Sequence, residues 1–253
     1  MKLSVVIPAY NEEGNIRETL LTLYTTLTAE NIPHEILVVN DNSKDNTAAV
    51  LEKLKNEIPT LVSFTNKGPN GFGYAVRFGL DKFTGDCVAI VMADLSDDPG
   101  DLIRFYRTMQ EGFDCVFGTR WSMGGKVYDY PIVKKVINRL ANRIVQMCFG
   151  FRYNDCTNAF KLYSRETIQG LRPFLAPHFN LTLELPLKAI VRGYHFAVLG
   201  NSWRNRKTGT SKLKIREMGS RYFFILLYCM IERFFARGDF RKKSEFEFGK
   251  KRD

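Results

Sequence analysis

The sequence predicts an α/β fold: a mostly parallel central sheet flanked by helices, with an amphipathic helix towards the C-terminus. Three observations carry that reading. Short apolar, β-branched runs alternate with stretches whose apolar residues recur at helical spacing, as crossovers between parallel strands require. The stretch after each predicted strand is polar and holds acids, asparagine or glycine, and an open α/β sheet binds its ligand at those carboxyl ends. The apolar run starting at Cys87 stops in three carboxylates, Asp94, Asp97 and Asp98, before a break at Pro99 and Gly100. Hard oxygens gathered there suit a divalent cation.

The elements follow in order. Leu3 to Ile7 is a buried strand, broken at Pro8 into PAYNEEGN. A helix follows, with Ile16, Leu20, Leu23, Tyr24 and Leu27 on one face. Glu35 to Val39 is the second strand. Its exit loop, NDNSKDNT, offers Asp41 and Ser43 for directed hydrogen bonds to a base or ribose, with an Asx turn and helix cap as the plainer use. Asp45 and Thr47 can start the next helix, whose core face is expected at Ala48, Leu51 and Leu54. Leu61 to Phe64 is a short third strand, and GPNGFG leads into a helix with Val76 and Leu80 inward. Gly71 and Gly73 lack the third glycine of a dinucleotide loop, and close backbone approach is enough to explain them. After the acidic strand, Asp98 before Pro99 reads as a helix cap, with Leu102, Ile103, Tyr106 and Met109 on the core face.

Cys115 to Gly118 is another strand, and Arg120 lies at its exit. Val133, Val136, Ile137, Leu140, Ile144, Met147 and Cys148 mark a long amphipathic helix. Its polar side carries Lys134, Lys135, Arg139, Asn142 and Arg143, a solvated basic face or a functional one. Asp155 follows within NDCTNAFKLYS. Glu184 sits among apolar neighbours in a helix over Leu181 to Val191, where a carboxylate is usually paired with an arginine and sometimes catalytic. From Lys188 to Arg216 there are lysines and arginines and no acid. Arginine forks and small hydroxyls there suit phosphate oxygens. RNA is the competing anion, but the aromatic interleaving of an RNA platform is missing. Phe223, Phe224, Leu227, Ile231, Phe234 and Phe235 cluster on a last helix with basic flanks: a helix for the membrane interface, a core helix or a dimer face.

Composition bounds the rest. The chain has 253 residues, of which 45% are hydrophobic and 25% charged, so it can build a full core as one large domain. A net charge of +10 points to an anionic partner. The five cysteines are scattered and without a CxxC, as in a cytoplasmic protein with reduced thiols. Leu3 to Ile7 is too short for a signal peptide, and Tyr222 to Ile231 falls well below the roughly 20 residues of a membrane span. Residues 1–215 are expected to form the main domain and 216–240 an interfacial helix; the charged tail, 241–253, is expected to be disordered.

Taken together, these segments resemble the inverting family 2 glycosyltransferases of the GT-A (nucleotide-diphospho-sugar transferase) fold. Within them they resemble the dolichyl- or polyprenyl-phosphate sugar synthases, over about Leu3 to Leu213. IPAYNEEGNI is similar to the family's first nucleotide loop, which assigns nucleotide-sugar binding to Pro8, Tyr10, Asn11 and Glu12. VVNDNSKDNT does the same for Asp41 and Ser43, NGFGYA for Asn70, Gly71 and Gly73, and the acidic loop for Ala93 and Asp94. GTRWSMGG resembles the family's GSR and glycine pair and marks Arg120. NRLANR and NDCTNAFKLY resemble segments of the lipid-phosphate branch. WRNRKTGTSKL resembles an FxxRxxGxSK segment and marks Arg206, Gly209, Ser211 and Lys212. The family's metal loop, DADLQHP, reads MADLSDDP here, with Met92 for the first aspartate and Ser96 for the glutamine. The resemblance implies Mg2+ or Mn2+ on Asp94 and Ser96, with Asp97 near but not at the family's position.

It also implies a hexose donor carried by GDP or UDP, a polyprenyl (dolichyl) phosphate acceptor, and work at the cytoplasmic face of a membrane without nucleic acid. Asp94, Arg120, Arg139, Arg206 and Lys212 would carry the transfer; Arg120, Arg139, Ser211 and Lys212 would hold the acceptor phosphate. A phosphate acceptor is already anionic and needs no general base. Transfer to a sugar or protein hydroxyl would need one, for which Asp155 or Glu184 is the candidate. A non-catalytic nucleotide-sugar or membrane-binding protein is the third reading. A membrane-anchoring subunit or a homo-oligomer is left open.

Overall fold

In the computed structural model the chain alternates as expected: β1 (Leu3–Ala9), α1 (Ile16–Ala29), β2 (His34–Asn40), α2 (Thr47–Leu54), β3 (Leu61–Thr65), α3 (Phe72–Lys82), β4 (Cys87–Ile90) and α4 (Pro99–Gln110). The second half runs β5 (Cys115–Thr119), β6 (Lys126–Tyr128), α5 (Ile132–Phe149), β7 (Lys161–Ser164), α6 (Arg165–Gly170), α7 (Leu181–Val191), β8 (Phe196–Gly200), β9 (Ser202–Arg204) and α8 (Ile215–Phe235). The structure describes residues 1–206 and 215–242, with the backbone alone over 215–218. The expectations for Gly209, Ser211, Lys212 and most of the C-terminal tail lie outside the described residues.

Seven strands form one sheet in the order β3-β2-β1-β4-β7-β5-β8, and β6 pairs with β9 beside it. All neighbours in the large sheet are parallel except β7, which runs against both β4 and β5. β1 is buried along its whole length because the sheet is covered on both faces. Its alternate side chains enter two separate cores. Val5 and Ile7 pack with α1, α2 and α4, while Val6 packs with α3, α7 and α8. Asp98 caps α4 by accepting from the Gly100 N–H, with Pro99 next to it at the start of the helix. In α2 the buried residues are Thr47, Leu51 and Leu54; Ala48 is exposed, because Thr47 turns inward as the Glu12 N–H donates to its hydroxyl. All five cysteines are free, and all but Cys148 are buried.

α5 departs from the sequence expectation. Its buried residues are Asn142, Val145 and Phe149, while Val133, Val136, Leu140 and Met147 are all more than 60% exposed. Asn138 and Asn142 both donate to Thr157 Oγ1, so a polar stripe docks on the sheet side and the apolar stripe is left facing outward. α8 divides differently. Ile225 and Cys229 are fully buried in the core with α7, and Glu232 forms a buried pair with Arg192 at 2.7 Å. Phe223, Phe224, Ile231, Phe234 and Phe235 face outward. No helix among the described residues is long and apolar enough to cross a membrane.

Candidate active site

A cavity of about 570 Å³ opens along the carboxyl ends of the parallel strands. Of the residues singled out in the sequence, Pro8, Tyr10, Glu12, Asp41, Asn70 and Gly71 line one end, and Asp94 and Ser96 the middle. Arg120 and Arg206 line it towards the other end. Asn11, Ser43, Gly73, Ala93 and Arg139 do not line it; the first four are held just behind its wall. The Asn11 N–H donates to Ser43 Oγ at 3.0 Å and the Lys44 N–H to Asn11 Oδ1 at 2.8 Å, which ties the first two loops together. Ala93 presents its carbonyl to Thr19 Oγ1 at 2.8 Å. Gly73 lies so close to the chain at Ala176 and Pro177 that a Cβ would stand 2.5 Å from the Ala176 carbonyl oxygen, and this close approach requires glycine.

Asp41 works inside the protein as well as at the cavity wall. Its carboxylate accepts from Asn66 Nδ2 at 2.8 Å and from the Gly71 N–H at 2.7 Å, so one buried acid fastens the loops after β2 and β3 to the start of α3. Gly71 holds φ at +154°, and a Cβ there would meet His178 Nδ1 and the Pro177 carbonyl at 2.7 Å.

The acidic loop is shaped by a strained residue and a clamp. Leu95 has φ +53°, a left-handed conformation that costs a branched side chain about 1–3 kcal/mol. Asp94 Oδ1 accepts from the Ser96 N–H at 3.1 Å, closing a short turn. β9 lies against this loop: Asp97 pairs with Trp203, and the Arg204 N–H donates to the Ser96 carbonyl at 2.8 Å. The chain leaving β9 brings Arg206 to Asp94 Oδ2 at 2.7 Å and to Glu12 at 3.7 Å. Asp97 is 3% exposed, and its carboxyl is pushed up to about 7, by burial first and by neighbouring Asp94 next.

Arg120 is fixed in the cavity wall. Its backbone N–H and guanidinium make three hydrogen bonds of 2.8–3.0 Å to Asp155, whose side chain is fully buried. Burial works against the guanidinium's charge, but the Asp155 carboxylate outweighs it and raises the pKa. Lys161 is buried below this pair on the carbonyls of Cys156, Asn158 and Thr182. Burial brings its ammonium down to about 7. Glu184 also has a partner, but a lysine instead of the expected arginine: Lys188, at 2.5 Å, with both side chains fully buried.

Several lining residues were not assigned to the site from the sequence. Lys134 of α5 enters the cavity where Arg139 was expected; Arg139 is exposed and its guanidinium lies over Trp121. The signal was present in the spacing, because Lys134 and Asn138 are one helical turn apart and Asn138 faces the sheet. Tyr130 and Trp203 line the wall with ring centroids 4.8 Å apart. Arg221 and Tyr222 of α8 line it from above, beside Phe179.

Hard oxygens for a divalent cation are at hand. Asp94 and Asp97 lie side by side with Ser96 in the cavity wall, and Asp97 Oδ2 is a buried acceptor without a donor. No cluster of three acidic, histidine or cysteine ligands occurs among the described residues. Magnesium-type sites on phosphate ligands need only one or two protein carboxylates, so these residues fit.

A family model described as glycosyl transferase family 2 matches residues 4–172. The dolichol-phosphate mannosyltransferase of Pyrococcus furiosus is 28% identical over 219 residues, 85% of this chain and 60% of that protein. An uncharacterized glycosyltransferase of a Synechocystis species is 30% identical over 173 residues, 68% of this chain and 53% of its own length. This chain therefore spans under two thirds of both proteins. The polyprenol monophosphomannose synthase of Mycolicibacterium smegmatis is 29% identical over 216 residues, 83% of this chain and 80% of that one. Among solved structures, glucosyl-3-phosphoglycerate synthase from Mycobacterium tuberculosis, crystallised with Mn2+, UDP-glucose and phosphoglyceric acid, superimposes with a TM-score of 0.68 at 19% identity. That match covers 90% of this chain and 79% of the other. The shared fold is GT-A.

Proposed function

Because the chain belongs to glycosyl transferase family 2, we propose that it moves a hexose from a nucleoside diphosphate sugar, carried by GDP or UDP, to a polyprenyl phosphate such as dolichyl phosphate at a membrane surface. One observation carries the choice of acceptor. Lys134 of α5 and Arg221 of α8 reach into the cavity, and each of the same two helices holds a stripe of apolar side chains outward, uncovered. An anionic head can then lie among cations while its hydrocarbon chain follows α5 and α8 out of the site. A small soluble acceptor has no use for that apolar surface. The names of the Pyrococcus and Mycolicibacterium relatives, a dolichol-phosphate and a polyprenol enzyme, agree with this choice.

The nucleotide belongs to the end built by Tyr10, Glu12, Asp41, Asn70 and Gly71, and the sugar to the middle. In the transfer, an oxygen of the acceptor phosphate forms a bond to the anomeric carbon. The bond from that carbon to the diphosphate breaks, and its electron pair leaves on the diphosphate, in line and with inversion. The residues hold two anions together and stabilise the leaving charge. Arg120 is preorganised by Asp155, and Arg206 lies at the Asp94 loop. Ser211 and Lys212 follow Arg206 in the chain and belong to the same acceptor group in this proposal. Mg2+ or Mn2+, bound by Asp94 with Ser96 beside it, would neutralise the diphosphate. No general base is needed, and neither candidate is at liberty: Asp155 and Glu184 are fully buried in ion pairs. This disfavours the hydroxyl-acceptor reading.

The test incubates the protein with polyprenyl phosphate in detergent or vesicles, a panel of radiolabelled GDP- and UDP-hexoses, and Mn2+ or Mg2+. A radiolabelled glycolipid with one donor is expected, and Asp94→Ala should abolish it while leaving the fold intact. No glycolipid with any donor, or transfer to 3-phosphoglycerate alone, overturns the proposal.

A further inference from the structure

One acceptor at the centre of the cavity is left over. Asp97 is 3% exposed, and its Oδ2 has no hydrogen-bond partner. Leaving such an atom unpaired is costly, and more so when the group is charged. The carboxyl is held beside Asp94 and within reach of the Met92 backbone N–H. Its backbone is pinned by the bridge to Trp203, so it cannot swing out to water without opening the clamp between β9 and the acidic loop. Met92 lines the same cavity and brings a thioether to the place where a carboxylate was expected. A soft sulfur is a poor ligand for magnesium or manganese.

We propose that Asp97 supplies the second carboxylate for a divalent cation held with Asp94, replacing from three residues downstream the ligand that Met92 lacks. The inference rests on the nucleoside-diphosphate donor reading above. Two carboxylates at a diphosphate are a sufficient protein share, the remaining positions being taken by phosphate oxygens and water. The arrangement also accounts for the orphaned Oδ2, which a merely structural aspartate held by neighbouring Arg120 would not leave unpaired.

The experiment reads metal binding directly. Free Mn2+ is followed by electron paramagnetic resonance as protein is added, with UDP in one series and GDP in another. Asp97→Asn is expected to weaken Mn2+ uptake by at least about tenfold. Adding Met92→Asp to Asp97→Asn is expected to restore uptake, which separates ligation from a folding defect; thermal melts of both variants accompany it. Equal Mn2+ uptake by wild type and Asp97→Asn overturns the inference, as does a double variant that melts like wild type without regaining uptake. Dialysis of wild type against UDP and GDP with Mg2+ present distinguishes the two levels: binding of neither nucleotide overturns the donor reading and this inference with it, whereas nucleotide binding with unaltered Mn2+ uptake in Asp97→Asn overturns the inference alone.

Discussion

The two ends of the cavity are built on opposite terms. At the β1–β2–β3 end the loops are bonded to one another: Asn11 to Ser43 and Lys44, and Asp41 to Asn66 and Gly71. Their polar groups are largely satisfied before any ligand arrives. At the α5–α8 end, two neighbouring helices leave large apolar side chains in the open and turn Lys134 and Arg221 inward. A protein of 253 residues has core enough to cover such a stripe, and at the first end β1 is buried along its whole length. An apolar surface left open beside cations marks a partner, not a defect of packing. Preorganised polar loops suit a rigid, densely functional ligand such as a nucleotide; an open greasy ramp suits one that is mostly hydrocarbon.

That contrast can be broken. The largest effect belongs to the seam between the ends. Arg120→Met leaves the Asp155 carboxylate buried and unpaired, and should lower stability by about 3–5 kcal/mol, read from urea denaturation. A loss below about 1 kcal/mol would mean that the pair is not the staple described here. Next, Asp41→Ala strands the donors of Asn66 and Gly71, and should cost about 1–3 kcal/mol together with a clear loss of nucleotide affinity in dialysis. At the other end the expectation reverses. Leu140→Asp and Ile144→Asp should leave stability within about 0.5 kcal/mol of wild type while reducing co-sedimentation with anionic lipid vesicles. Unaltered sedimentation, or a protein that fails to fold, would remove the contrast.

The finest test is a change of slope. The Asp97 carboxyl sits at about 7 in the fold, against about 3.9 for an unfolded aspartate. Between those values the folded protein holds a proton that the unfolded chain has released, so this group makes stability fall as pH rises from about 4 to about 7. In metal-free buffer, Asp97→Asn should therefore gain on wild type across that window and run parallel to it above. A constant difference between the two denaturation curves at pH 4.5 and pH 7.5 would refute the shift.

The same contrast explains what could be read in the chain beforehand. The loops after β1, β2 and β3 were legible because their chemistry is local, and turn residues at strand ends declare themselves within a few positions. The helix over α5 was legible too, but not its orientation. Periodicity identifies two stripes and does not say which one the rest of the protein will cover. What decided it lay outside the helix, in Thr157, which takes hydrogen bonds from Asn138 and Asn142. The Arg120–Asp155 pair depended on a strand direction that alternation alone does not announce, because a strand–helix rhythm predicts parallel neighbours and β7 runs backwards. For the same reason Lys134 fitted a solvated face as well as a functional one: Thr157, which lines the same cavity, is 23 positions away in sequence.

The reversal of β7 has a consequence for exchange. The chain leaves the sheet at the end of β5 and returns into β7 beside it: Phe117 stands opposite Lys161, and the Gly118 N–H donates to the Phe160 carbonyl at 3.1 Å. Everything between, including Arg120, Tyr130, Lys134 and the whole of α5, is thus an excursion whose two ends touch. It is a cassette anchored to the large sheet at one point and held beside it by the pairing of β6 with β9. Replacing that excursion with the corresponding stretch of a relative would exchange the side chains it brings to the cavity while leaving the β1–β2–β3 end in its original frame.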